Sequence, residues 1–310
     1  MALLSVDGVR TRYVTRGRAF NAVDGVSLDV DPGETVGLVG ESGCGKSTLG
    51  KTILRLIDPV EGSIRFRGNE LSDLSQYALL PFRSRMQMVF QDPFGSLNPR
   101  QTVGTLLGTP LKVHGRGNRV ERRRRVRDML DAVGLGEAAT DRYPHEFSGG
   151  QRQRIGIARA LVLEPELVVC DEPVSALDLS IQAQILNLLV DLKRQLGLSY
   201  LFISHDLSVV RYFADRVLAM YLGRIVESAD HMSLWREPRH PYTRALLAAV
   251  PRPDPERRRE AVAMRGELNA AAAGGCRFRA RCPLAVARCG EEEPALRTVA
   301  AGHQAACHFA

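Results

Sequence analysis

Lysine is scarce in this chain: Lys46, Lys51, Lys112 and Lys193 are the only four among 310 residues, so the net charge of +7 is carried by arginine. Such an excess permits contact with nucleic acid or anionic lipid. A solvated arginine-rich surface accounts for it equally well, and no nucleic-acid partner is expected. No apolar run approaches the roughly 18–20 residues that span a bilayer. The opening MALLSVDGVR has neither a charged n-region nor an apolar h-region, so no signal peptide is expected. The expected place is the cytoplasm, or its membrane face if a partner holds the chain there. No repeat architecture is visible. Hydrophobic residues make up 45% and charged residues 25%, which is ordinary globular composition. The length suits two domains, or one large domain with an appendage. Four of the six cysteines (Cys276, Cys282, Cys289 and Cys307) lie in the last 35 residues, and in a cytosolic chain such clustering favours metal over disulfides.

What is present centres on GESGCGKST at Gly40–Thr48, which fits G-x-x-x-x-G-K-[ST], the phosphate-binding P-loop. ETVGLV at Glu34–Val39 reads as a buried strand before it, and Leu49–Ile57 reads as a helix that stops before Pro59. Gly40, Gly43 and Gly45 let the backbone aim successive N–H groups at phosphate oxygens, and the helix N-terminus adds partial positive charge. Lys46 is placed to reach the β- and γ-phosphates and Ser47 to ligate Mg2+. Ser42, Cys44 and Thr48 complete the loop.

Along the chain, residues 3–30 alternate as two antiparallel strands joined around Arg16–Asn21. Glu61–Gly68 reads as a strand and turn, and Arg85–Gln91 as an apolar strand with a polar end. From about 97 to 165 the pattern is helical. RVERRRRVRDML is expected to be the wet face of an amphipathic helix, with Val120, Val126, Met129, Leu130 and Val133 inward. Gln151–Glu164 reads as a further helix. Leu167–Cys170, Ser199–Ser204, Asp215–Ala219 and Gly223–Val226 read as strands, with a helix at Ile181–Leu196. Strands alternating with helices give an α/β fold with a parallel-sheet core. Ligands are expected at the carboxyl ends of its strands, and 97–165 reads as an inserted helical subdomain. Pro238, Pro241, Pro251, Pro253 and Pro255 mark a linker into the C-terminal appendage.

Four further features narrow the chemistry. LVVCDE at 167–172 resembles a Walker B strand: Asp171 is placed to hold Mg2+ through water, and Glu172 to act as general base. Ser148, Gly149, Gly150 and Gln151, within FSGGQ, open a helix suited to grip a phosphate. Because the P-loop already supplies one grip, this second one is expected to act in trans, across a dimer. Gln91 ends the strand in VFQDP, where its amide can touch both metal and water. His205 follows the strand LFIS, within reach of a γ-phosphate; its plainer role is structural.

GESGCGKST, VFQDP, FSGGQ, LVVCDEPVSALD and SHD, in that order, resemble an ABC-transporter nucleotide-binding subunit over roughly residues 3–235. The resemblance implies a RecA-like P-loop NTPase core with an antiparallel β-subdomain and an inserted helical subdomain. It implies that Gln91 is the Q-loop, Ser148–Gln151 the signature, Asp178 the D-loop and His205 the switch histidine. It also implies that two subunits sandwich two ATP molecules, with Mg2+ held through Ser47, Gln91 and Asp171. Tyr13 resembles the aromatic that stacks on adenine, although a plain strand residue fits the same pattern. Phe147 stands where the family most often has Leu, a departure at a packing position. Long coiled coils or a second cassette, which would point to a DNA or ribosome ATPase, are not seen.

MVFQDPFGSLNPR at 88–100, YLGRIVESADH at 221–231 and EPRHPYTRALLAAVP at 237–251 resemble the oligopeptide/dipeptide importer subfamily. GCRFRARCP and the two later cysteines resemble that subfamily's Cys-rich C-terminal extension, taken here as 236–310. In some members its four cysteines hold an iron–sulfur cluster. Four thiolates suit [4Fe–4S] or tetrahedral Zn2+. Intervals of five, six and seventeen residues are not a C-x-x-C zinc pair, so the cluster ranks first. The implied partners are a second ATPase subunit, most often a paralogue, two permeases and an extracytoplasmic solute-binding protein. The chain would sit peripherally on the cytoplasmic face of the inner membrane. Phe94 and Leu97 lie where the family docks a permease coupling helix. The cargo stays open between peptides, nickel chelates and other small solutes.

Overall fold

The computed structural model describes residues 2–15, 17–250 and 274–310. The expected linker prolines Pro251, Pro253 and Pro255 lie outside them. The chain divides into two compact units, one built mainly on Arg65–Phe202 with Asp29–Glu34, the other on Ser5–Leu28, Thr35–Ile64 and the described residues from Ile203 onward.

The strands in chain order are β1 (Leu4–Thr15), β2 (Arg18–Val30), β3 (Thr35–Val39), β4 (Glu61–Phe66), β5 (Asn69–Glu70), β6 (Met86–Val89), β7 (Leu167–Asp171), β8 (Ser199–Ser204), β9 (Arg216–Tyr221), β10 (Arg224–Asp230), β11 (Arg297–Ala300) and β12 (His303–Ala305). β3, β7 and β8 are buried at every residue. Continuous apolar runs of this kind are what a sheet covered on both faces demands.

In the unit holding β3, the strands run β11-β12-β10-β9-β3. β3 lies parallel to β9, which turns back as an antiparallel hairpin into β10. β10 pairs antiparallel with β12, Glu227 facing Ala305. The Cys-rich extension is thus joined to this sheet by backbone hydrogen bonds. Glu227 is fully buried, and its carboxylate accepts the N–H groups of Arg239 (2.6 Å) and His240 (3.0 Å) and meets the His303 ring nitrogen at 2.7 Å. In the other unit β6 and β7 are parallel, Met86 opposite Leu167 and Val89 opposite Cys170. Helices Val103–Val113, Arg119–Ala132 and Gly149–Leu161 follow the expected helical pattern.

Several boundaries differ from expectation for local reasons. The P-loop helix is Lys46–Ile53, starting and ending earlier than Leu49–Ile57. Arg55 takes a left-handed φ of +52°, and the N–H groups of Leu56 and Ile57 both return to the Lys51 carbonyl, closing the helix. β2 resumes at Arg18, so the first turn is shorter than Arg16–Asn21. Val120 lies in the first turn of its helix and is 77% exposed, while Val126, Met129, Leu130 and Val133 are buried as expected. Pro241 is not linker: it opens the helix Pro241–Ala248 and is buried. Among the described residues, no helix is long and apolar enough to cross a membrane.

His240 caps that helix, its ring Nδ1 accepting the Tyr242 N–H at 3.1 Å. Burial holds its pKa down to about 3. The folded chain therefore keeps it neutral where the unfolded chain is protonated. Stability from this site is complete above about pH 6.5 and is lost as pH falls toward 3, at up to about 1.4 kcal/mol per unit. Urea titrations at pH 7 and pH 5 are expected to show wild type losing about 2 kcal/mol more than His240→Asn, which keeps a capping acceptor without the titration.

Candidate active site

Fully buried β3 delivers the chain to Gly40, and the loop returns as a helix at Lys46. Space decides two of its glycines. A Cβ on Gly40 (φ +156°) would lie 2.3 Å from the Met220 carbonyl oxygen, and one on Gly45 (φ +109°) 2.1 Å from that of Ala22. No side chain fits either position. Gly45 caps the helix without any side-chain hydrogen bond. The helices beginning after Thr102, Asn118, Ser148 and Asp178 are all capped by those side chains. Of these five helices only that of the P-loop lacks a side-chain cap, an arrangement suited to an external anion at its first turn. Lys46 is 4% exposed, and its ammonium donates to the carbonyls of Gly40 (2.7 Å) and Glu41 (3.0 Å). In this conformation the lysine is folded onto its own loop. Cys44 is buried, and burial pushes its thiol pKa up, so it packs as a small apolar residue. Tyr13 on β1 is 36% exposed, with its ring 5.8 Å from that of Phe20. Phe20 lacked any motif to mark it, and the pair is recognisable only once the hairpin is formed.

In the other unit, the parallel pairing of β6 and β7 ends at Val89 opposite Cys170, and Gln91 and Glu172 follow just beyond the two strand ends. The Gln91 amide donates to Glu172 Oε2 at 3.0 Å. Asp171 is 3% exposed at the end of its buried strand. Glu172 has a φ of +46°, a left-handed conformation that costs a non-glycine residue roughly 1 kcal/mol or more. Its carbonyl accepts the Ser175 hydroxyl at 3.1 Å, which helps to hold the turn. The expected base therefore sits on strained backbone, with its carboxylate oriented by Gln91.

Ser148 and Gln151 form a reciprocal capping box: the Ser148 hydroxyl accepts the Gln151 N–H at 3.4 Å, and the Gln151 side chain accepts the Ser148 N–H at 3.0 Å. Gly149 and Gly150 form the first turn, and a Cβ on Gly150 would meet Ile181 at 2.5 Å. Phe147 is buried under the Arg142 guanidinium, 4.3 Å from its ring centroid. Asp178 caps the helix Leu179–Leu196; hydrogen bonds from the Ile181 N–H and the Ser180 hydroxyl hold its carboxyl below the usual range. His205 follows β8 directly and is exposed. Of the two expected docking contacts, Phe94 is 61% exposed, with Arg152 stacked 4.1 Å from its ring, whereas Leu97 is 2% exposed and belongs to the core.

Residues 23–175 match the family model described as ABC transporter, and residues 226–289 match that of the oligopeptide/dipeptide transporter C-terminal region. A putative peptide import ATP-binding protein of Brucella ovis is 53% identical over 98% of this chain and 97% of its own length. The chain belongs to the ABC transporter family. A putative oligopeptide transport ATP-binding protein of Bacillus subtilis, YkfD, is 50% identical over 100% of this ABC chain and 96% of its own length. Among solved structures, the ATP-binding cassette MJ0796, described as a dimer in a post-hydrolysis state bound to ADP and Pi, superposes with a TM-score of 0.68. It is 31% identical over 74% of this chain and 98% of its own.

In this ABC chain Cys289 and Cys307 are buried, Cys276 and Cys282 partly so, and all four are free thiols. Burial raises the Cys276 thiol pKa, and charges on Cys289, Cys282 and Cys307 raise it further, so the four lie within electrostatic range. Among the described residues, however, no three or more His, Cys, Asp or Glu side chains are grouped to hold a metal ion. The expected four-thiolate centre fits in donor chemistry but is not formed by this arrangement.

Gly45→Ala is expected to weaken ATP binding by more than about tenfold, because the added methyl must displace the loop from the Ala22 carbonyl. Fluorescent-nucleotide titration, with circular dichroism to confirm folding, checks this.

Proposed function

We propose that this chain is the ATP-hydrolysing subunit of a membrane importer energising uptake of di- and oligopeptides. The observation that carries the reading is the joint match of an ABC cassette and an oligopeptide/dipeptide-type C-terminal region, with relatives named for peptide import spanning nearly the whole chain. The cargo class rests on those relatives, and a nickel chelate is the alternative.

The proposed mechanism uses both halves of the site. Lys46 leaves the carbonyls of Gly40 and Glu41 for the β- and γ-phosphates, and the uncapped helix start adds N–H donors. Ser47, Gln91 and Asp171 supply hard oxygen donors of the kind that Mg2+ takes; the ion supplies neutralisation of phosphate charge. Glu172, steered by Gln91, accepts the proton of the attacking water, and His205 contacts the γ-phosphate. Tyr13, beside Phe20, stacks on adenine.

Two such subunits, most often paralogues, would close on two ATP molecules. Ser148–Gln151 of each would complete the other's site, with Asp178 at the junction, and two permeases would convert closure into alternating access. Exposed Phe94 is the proposed permease contact. A solute-binding protein delivers cargo, and the chain sits at the cytoplasmic face of the membrane. A [4Fe–4S] cluster on Cys276, Cys282, Cys289 and Cys307 rests on the donor chemistry of four free thiols alone, which are not grouped as a metal site among the described residues, and carries no step here. Iron and acid-labile sulfide analysis of anaerobically purified protein tests it against Zn2+.

In the assembled transporter, Glu172→Gln is expected to retain MgATP binding, lower steady-state hydrolysis about 100-fold or more and accumulate a closed dimer. Wild-type turnover would remove Glu172 from the role of base. The isolated wild-type chain is expected to bind ATP and hydrolyse it poorly. Uptake of a labelled dipeptide, competed by peptides and not by nickel chelates, tests the cargo.

A further inference from the structure

Glu41 occupies one of the unspecified positions of the P-loop motif, and the structure holds it from three directions. Its carbonyl accepts Lys46. Its N–H donates to the Tyr242 hydroxyl at 2.8 Å. Its carboxylate receives both terminal nitrogens of Arg281, at 2.6 and 2.9 Å. Tyr242 and Arg281 come from either side of residues 251–273, Arg281 lying within the Cys-rich extension itself.

Both anchors are rigid. Tyr242 is fully buried, and the Arg281 side chain is 9% exposed. Phe278, three residues before Arg281, is 2% exposed, and its ring centroid lies 5.2 Å from that of Tyr221 and 5.6 Å from those of Tyr242 and His240. A second brace runs alongside. Arg277 donates to the Leu222 carbonyl at 2.6 Å and pairs with Asp24. The next residue, Gly223, donates its N–H to the carbonyl of Cys44 in the P-loop at 2.8 Å. The Glu41 carboxylate also holds the Arg281 guanidinium firmly protonated. A bidentate, largely desolvated arginine–carboxylate pair fixes orientation as well as distance, which a lysine cannot reproduce.

We propose that Arg281 and Tyr242 are positioning residues for the nucleotide site: together they hold the Glu41 peptide in place, so that the C-terminal extension sets the affinity of the P-loop for MgATP. The inference rests on the reading that this loop binds ATP. When Lys46 transfers to phosphate, the Glu41 carbonyl loses its partner, and the clamp keeps the loop from relaxing out of its phosphate-binding shape. The ordering is thus present before the nucleotide arrives. The effect belongs to binding, so KM for ATP rises when the clamp is broken while kcat changes little.

The test uses the full-length chain for MgATP binding and the assembled transporter for kinetics. Arg281→Gln and Glu41→Gln are each expected to raise the Kd and KM for ATP about tenfold, with kcat within about twofold of wild type. Arg281→Lys is expected to restore little, and the double variant is expected to be no worse than either single. Tyr242→Phe, which removes only a hydroxyl, is expected to raise Kd about threefold. A folded Arg281→Gln variant with wild-type affinity, or losses that add in the double variant, would overturn the clamp. If Arg281→Gln does not fold, unchanged affinity in Tyr242→Phe overturns it instead. Lys46→Ala separates the two readings. If wild type does not bind MgATP, or Lys46→Ala binds it equally well, the P-loop reading falls and the clamp with it. If Lys46→Ala loses binding while the Arg281 and Tyr242 variants match wild type, only the clamp falls.

Discussion

At two points of the P-loop the backbone passes too close to its neighbours to carry a side chain. That constraint governs this molecule. Gly40 and Gly45 press against the carbonyls of Met220 and Ala22, so the P-loop is shaped by β9 and β2 as much as by its own residues. The contact requires β3 to be held rigidly, and its parallel pairing with β9 within a buried sheet does so. β9 then turns through Leu222 and Gly223, whose N–H returns to the loop at Cys44. The extension reaches the same turn through Arg277. Loop, sheet and C-terminal segment are one mechanical assembly within their unit.

The acidic half of the machinery depends on a different constraint, strand register. Parallel pairing of β6 with β7 brings their ends together, and just beyond them Gln91 reaches Glu172. The left-handed backbone at Glu172 is the kind of strain that persists only where surroundings enforce it. Here a buried strand on one side and the Ser175 hydroxyl on the other provide that enforcement.

Much of this was legible in the residues. The P-loop, the acid pair, Ser148 at a helix cap and the strand ending before His205 all stand where motif and periodicity place them, because each is a local pattern closed within a few residues. The departures are cases where backbone closure or packing, rather than residue type, decides. The P-loop helix stops at Ile53 because the chain closes back on Lys51. Leu97 has the hydrophobicity of a docking residue and is instead core. The four cysteines have the right chemistry for a metal, but the fold does not group them as a metal site among the described residues, which no spacing reveals.

The sequence by itself determined the local motifs: the residues expected to handle phosphate, metal and water, and their order along the chain, are set by residue type at fixed short intervals. Only the tertiary structure decided that Glu41, an unspecified motif position, is gripped by Tyr242 and Arg281 more than two hundred residues away. It likewise decided that the Cys-rich extension is joined to the sheet beside the nucleotide loop. The reason is physical. A bidentate ion pair and a strand pairing need proximity in space, and only the folded chain supplies it.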